Sequence, residues 1–201
     1  MADHPMNSPR LWLELAGESL TKPRAAARRI LAMPVSAGAL AQLAIVITCF
    51  GIILAYVAMR LSHGAIDEVS ARLLGMPVLA AALEFGVMAV IGWLTYRIGA
   101  LFGGKGRLWD ALVLVVWLNA ILLLIQTAQI AALAVLPPLA AVLAILGLLW
   151  AIWAYANFVT ELHEFDNPML VLGGVVLTAI VLFIGIAMVF AVLGLTPGGV
   201  R

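Results

Sequence analysis

The chain has 201 residues, of which 65% are hydrophobic and only 10% are charged, and its net charge is +1. This composition leaves too little polar material for a soluble globular domain. It also provides no basic surface of the kind that nucleic-acid binding requires. Cys49 is the single cysteine, so an intrachain disulfide is excluded and cysteine usage says nothing about the redox compartment.

The chain begins with a polar segment, residues 1–37, that we expect to form a cytoplasmic arm. Residues 10–33 predict one or two short amphipathic helices, because Pro23 suits the first turn of a helix and Pro34 would end it. The arm carries the cations Arg24, Arg28 and Arg29. A basic amphipathic helix would lie on a leaflet rich in anionic phospholipid. A solvated, charged arm is the alternative.

Five apolar segments follow, and each is long enough for a helix to cross a bilayer core about 30 Å thick. They are residues 38–59, 78–96, 111–136, 139–160 and 169–195. Their hydrophobicity is continuous and does not alternate, which favours helices over a membrane barrel. The sequence therefore predicts an all-α membrane protein. Residues 38–201 would form a bundle of five transmembrane helices behind a short amphipathic cytoplasmic segment.

The basic residues are distributed unequally between the two sides of this bundle. With the N-terminus inside, eight Lys and Arg residues fall on the inner side and three on the outer side. The positive-inside rule then places the N-terminus in the cytoplasm and the C-terminus outside. An odd number of spans agrees with termini on opposite sides.

Glu84 is the only charged residue inside the predicted spans. The third span carries Asn119, Gln126 and Gln129, whose spacing of seven and three places them on one helical face. At 1.5 Å per residue, Glu84 lies at about the depth of Gln126 and Gln129. We expect an intramembrane polar cluster in which Glu84 bonds to one of these amides and fixes helix packing. The alternative is a site for a proton, an ion or a polar substrate.

An acidic turn joins the fourth and fifth spans. It contains Glu161, His163, Glu164 and Asp166. Three carboxylates and a histidine within six residues are a weak candidate for a divalent metal site, although the spacing matches no standard zinc pattern. The alternative is an acidic turn near the lipid head groups.

A glycine-rich turn precedes the third span. Its possible contact residues are Gly103, Gly104, Lys105 and Arg107. It is not a phosphate-binding loop, because Gly106 follows Lys105 where that motif requires Ser or Thr. Two cations beside a helix N-terminus predict contact with a lipid phosphate or an acidic partner. Anchoring and topology alone would explain them equally well. We identify no catalytic residues and no cofactor site, and we expect that the protein is not an enzyme.

Three stretches together resemble one family. They are Pro23–Leu31 in the arm, the glycine turn 103–106 with Asp110, Ala111 and Leu112 after it, and residues 158–163 at the end of span four. In this combination with five spans, the chain resembles bacterial members of the YIP family, the Ypt/Rab-interacting membrane proteins. The resemblance implies a cytoplasmic N-terminus, an outer C-terminus and no enzymatic activity. Eukaryotic members are linked to Rab GTPases and vesicle traffic.

The expected function is therefore interaction within a membrane. High alanine content and short loops suggest a bacterial inner membrane, with the C-terminus in the periplasm. The protein would organise the membrane or act as a scaffold subunit, together with anionic lipid and with a protein partner or a second copy of itself. The alternative is a small transporter or channel that uses Glu84 with Gln126 and Gln129.

Overall fold

The computed structural model describes residues 9–62 and 72–192. Within them, seven helices of nine residues or more follow one another. They are α1 Pro9–Thr21, α2 Pro23–Leu31, α3 Ala37–Leu61, α4 Pro77–Leu101, α5 Leu108–Val135, α6 Pro137–Leu162 and α7 Pro168–Val192. Most of the loop between α3 and α4 lies outside the described residues.

Four helices, α3 to α6, are long and apolar enough to cross a membrane by length and composition. In α7, the stretch Pro168–Val181 is also apolar, but it is shorter than these four helices. The prediction of an all-helical membrane protein is therefore confirmed in its coarse form. The count of five spans stays a prediction.

Helix boundaries follow local sequence rules. α2, α4, α6 and α7 each begin with proline, whose missing N–H is not needed in the first turn. α3 begins after Ser36, whose hydroxyl accepts a hydrogen bond from the Ala39 N–H at 3.2 Å. Only Leu136 separates α5 from α6, and these two helices pack together as an antiparallel hairpin, with Pro137 and Pro138 at the start of α6.

The central helix is α5, which contacts α3, α4 and α6 as well as both short helices of the arm. Its buried residues all lie between Ala111 and Ile121, in the half nearest its N-terminus. We call this the arm end of the bundle, where α3, α5 and α7 begin and α4 and α6 end. Toward the opposite end, apolar side chains such as Val142 and Leu146 are more than half exposed, as lipid-facing residues are.

The arm is part of the same packed core. Leu15 of α1 and Ala26, Ala27 and Ile30 of α2 are buried in a cluster that also contains Trp117 of α5 and Phe158 of α6. Fully burying a leucine or isoleucine side chain is worth about 1.5–3 kcal/mol relative to exposure in water. The two short helices are thus held against the bundle by apolar packing.

Candidate functional site

His163 lies at the centre of the arm end, directly after α6, and is only 1% exposed. The Gly106 N–H donates to its Nδ1 at 3.2 Å, and its Nε2 lies 3.1 Å from the Thr95 carbonyl oxygen. Because a backbone N–H can only donate, Nδ1 is the acceptor and Nε2 carries the proton. One neutral tautomer therefore satisfies both ring nitrogens and ties α6 to α4 and to the glycine turn.

Three glycines enclose the imidazole ring. A Cβ at Gly99 or Gly104 would overlap ring atoms, and one at Gly106 would lie 2.9 Å from Nδ1. The turn is thus rich in glycine because the ring needs the space. Gly103 has a separate reason, since its φ of +81° lies in the left-handed region that favours glycine. We name His163 with these three enclosing glycines the histidine clasp.

The environment of the clasp keeps His163 neutral. Burial lowers the pKa of the imidazole below its ordinary value, and the bond to the Thr95 carbonyl opposes this only in part. A second proton, on Nδ1, would face the Gly106 N–H, which has no lone pair to accept it. The Phe165 ring stacks on the imidazole with 5.5 Å between centroids and closes that face.

Ion pairs connect the three polar segments around the clasp. Glu161 accepts from Arg24 Nε at 2.9 Å and from Arg28 Nε at 2.7 Å, and its side chain is only 14% exposed. Lys105 pairs with Glu164 at 2.7 Å, and both of these side chains are mostly exposed. The arm, the glycine turn and the acidic turn, which sequence reasoning treated separately, therefore meet in one place.

Two further cations of these segments, Arg29 and Arg107, also have acidic side chains nearby. Arg29 donates to Glu18 at 2.6 Å within the arm, and Arg107 lies 4.0 Å from Asp110. Their contact with lipid head groups or with a partner stays a prediction.

The candidate metal ligands do not converge on a common point. Glu161 is directed to the arm, His163 to the clasp and Glu164 to Lys105, while Asp166 is exposed. Within 9–62 and 72–192, no group of three acidic, His or Cys side chains is placed to hold a metal ion. Groups of this same chain already bind the donor atoms of Glu161, His163 and Glu164.

Two tryptophans of the bundle hydrogen-bond to the C-terminal end of α1, further from the arm end than the histidine clasp. Trp117 Nε1 donates to Ser19 Oγ at 2.9 Å, and Trp150 Nε1 donates to the Leu20 carbonyl oxygen at 3.0 Å. Trp150 lies twelve residues before the end of α6, which is roughly 18 Å along the helix. The C-terminal end of α1 therefore reaches well into the bundle. Sequence analysis did not identify these contacts.

The intramembrane polar residues are divided between two interfaces. Gln129 Nε2 donates to the Leu143 carbonyl oxygen of α6 at 3.1 Å, and Asn119 donates to the carbonyl oxygen of Val115 in its own helix. Gln126 is half-buried on α5. Glu84 lies instead against α3, where its Oε1 is 3.7 Å from the position of a Cβ at Gly51. In the described structure, these contacts replace the expected bond between Glu84 and an amide of α5.

Comparison with known proteins agrees with the resemblance seen in the sequence. A search of curated proteins and a search of solved structures each returned no match. A family model described as the Yip1 domain matches residues 17–190. The match contains residues 17–37 of the arm, the whole histidine clasp and the helices α2 to α6. The match covers most of the chain, so this membrane protein belongs to the Yip1 domain family.

Proposed function

We propose that the protein acts by interaction, as a non-enzymatic scaffold that presents its arm end to a protein partner or to a second copy of itself. The observation that carries this is the convergence of three distant segments on the histidine clasp. Exposed ion pairs such as Lys105–Glu164 contribute little stability, typically about 0–1 kcal/mol. Their defined arrangement is therefore better explained by recognition than by stability.

The interior of the arm end is closely packed. Beside Thr95 and Tyr155 lies a cavity of about 10 Å³, which is room for one water molecule at most. The Thr95 and Tyr155 hydroxyls bond to each other there at 2.5 Å. A transporter that combines Glu84 with Gln126 and Gln129 is less supported, because Glu84 and Gln129 contact different helices.

Photo-crosslinking tests the proposed surface. A benzophenone amino acid at Phe102, an exposed residue beside the glycine turn, should give one discrete adduct in native membranes. The matched probe at Val142, also exposed but facing lipid, should give none. Reversing the charge of Lys105 and Arg107 together should remove the adduct, and its mass would distinguish a second copy from another protein. Equal labelling from both positions would contradict the proposal.

We also propose that the chain is a five-span protein of a bacterial inner membrane, with a cytoplasmic N-terminus and a periplasmic C-terminus. The distribution of basic residues supports this orientation. A reporter active only in the periplasm should be active when fused after Arg201 and inactive when fused before Met1. Activity of both fusions, or of neither, would place the termini on one side and remove a span.

A further inference from the structure

Arg97 lies near the end of α4 and differs from the cations that lie beside Glu18, Asp110, Glu161 and Glu164. It is exposed, and in the part of the chain that the structure describes it forms no ion pair with Asp or Glu. An uncompensated charge at the edge of a membrane-crossing helix is unfavourable. The charge of Arg97 therefore favours an anionic partner that does not belong to the described chain.

The Arg97 guanidinium is held over the ring of Trp93, with its Cζ 5.9 Å from the ring centroid. This distance is within the range of a cation–π interaction. Trp93 lies one helical turn closer to the middle of α4 and is half exposed. The ring faces only one side of the planar guanidinium, so the N–H groups at its edge stay available to an acceptor. The cation is thus positioned on the exposed side of α4, at the boundary of the predicted span.

An apolar stripe continues from this cation toward the middle of α4. Gly86, Val90, Trp93 and Arg97 are spaced by four, three and four residues, which places them on one helical face. Val90 is 56% exposed, and a Cβ at Gly86 would meet nothing within 4 Å. From Gly86 to Arg97 the stripe is roughly 16 Å long, about half the thickness of a bilayer core. It therefore matches the hydrocarbon depth of one leaflet.

We propose that this face of α4 binds one anionic phospholipid, with its phosphate on Arg97 and an acyl chain along Trp93, Val90 and Gly86. Guanidinium and phosphate form charge-assisted and often bidentate hydrogen bonds. Tryptophan is enriched at the depth of the lipid head groups. A zwitterionic lipid brings a cation of its own that competes for the phosphate, so an anionic lipid is favoured. The site uses no residue of the histidine clasp, and the proposal does not depend on the scaffold role.

Native mass spectrometry of the delipidated full-length protein in detergent tests the site. The first phosphatidylglycerol should bind at least about threefold more tightly than phosphatidylcholine with the same acyl chains. Arg97→Gln should remove this preference, and Trp93→Leu should reduce it, because the ring positions the guanidinium. The matched control is Arg60→Gln, since Arg60 is exposed at the other membrane boundary, in the last turn of α3. That variant should keep the preference.

Cross-linking in a bilayer locates the bound lipid. Phosphatidylglycerol with a photoactivatable acyl chain should label residues 86–93 of the wild-type protein, and Arg97→Gln should lose this labelling while its Tm in detergent stays unchanged. The proposal is overturned if Arg97→Gln binds phosphatidylglycerol like the wild type, or if Arg60→Gln loses as much, because any boundary cation would then suffice. It is also overturned if a benzophenone probe at Val90 captures a protein in native membranes, because a partner would then cover the stripe.

Discussion

Gly99→Ala is expected to destabilise the protein strongly, although alanine is the better helix former. The added methyl group would enter the space that the His163 ring occupies. The ring is held on both nitrogens and stacked on Phe165, so it has little freedom to move aside. Overpacking of this kind typically costs about 1–3 kcal/mol. Thermal or denaturant unfolding of the purified variant in detergent measures the loss.

Gly86→Ala is the matched control, because Gly86 lies in the same helix and a Cβ there would meet nothing within 4 Å. That change should be neutral or stabilising, by up to about 1 kcal/mol, because it only exchanges glycine for a better helix former. If the two variants were equally stable, His163 would not be enclosed as described.

A double-mutant cycle isolates the contact itself. His163→Ala should be destabilising on its own, because it leaves the Thr95 carbonyl and the Gly106 N–H without their partner. Gly99→Ala should cost much less in that background, where the ring is absent. The difference between the two backgrounds is the coupling between Gly99 and His163. Strict additivity would contradict a direct contact.

The helical fold was largely predictable because lipid imposes simple rules. Continuous apolar runs must form helices, and prolines mark where helices start, so the structure places α3 to α6 close to the predicted spans. The family resemblance was found from the same short stretches that the structure brings together. The glycine turn and the end of α6 were conspicuous as motifs before their contact was known.

What the sequence did not reveal is how these motifs pair. From the sequence, each turn was assigned a separate ligand, a lipid phosphate for Lys105 and a metal ion for Glu164. In the structure the two side chains form an ion pair with each other. Topology would have supported that pairing, because both turns were predicted on one side of the membrane with opposite charge. Gly99 carried no local signal, since its role depends on a histidine 64 positions away in the chain.

For the intramembrane polar residues, the sequence specified depth in the membrane but not which helix each side chain contacts. Depth along a helix can be counted from sequence, and Glu84 and Gln129 both lie in the halves of α4 and α5 away from the arm end. Rotation about the helix axis decides which neighbour a side chain meets, and apolar sequences with weak amphipathicity do not specify it. Glu84 therefore meets α3, while Gln129 meets α6.

Glu161→Gln is expected to loosen the arm while leaving the bundle intact. Arg24 and Arg28 both donate to this carboxylate, which is mostly shielded from water and so interacts with them more strongly than an exposed pair would. The amide keeps the size of the side chain but removes the charge. Hydrogen exchange in residues 23–31 should become roughly five- to tenfold faster, while residues 111–121 stay unchanged.

Glu164→Gln is the control for this change, since it removes a carboxylate from the same turn but one that pairs with Lys105 instead of the arm. Its effect on exchange in α2 should be small. If both variants loosened α2 equally, the general acidity of the turn would be holding the arm. If neither did, apolar burial of Ala26, Ala27 and Ile30 would suffice to dock it. Selective loosening by Glu161→Gln would instead show that one carboxylate, through its pairs with Arg24 and Arg28, fixes α2 in its position against the bundle.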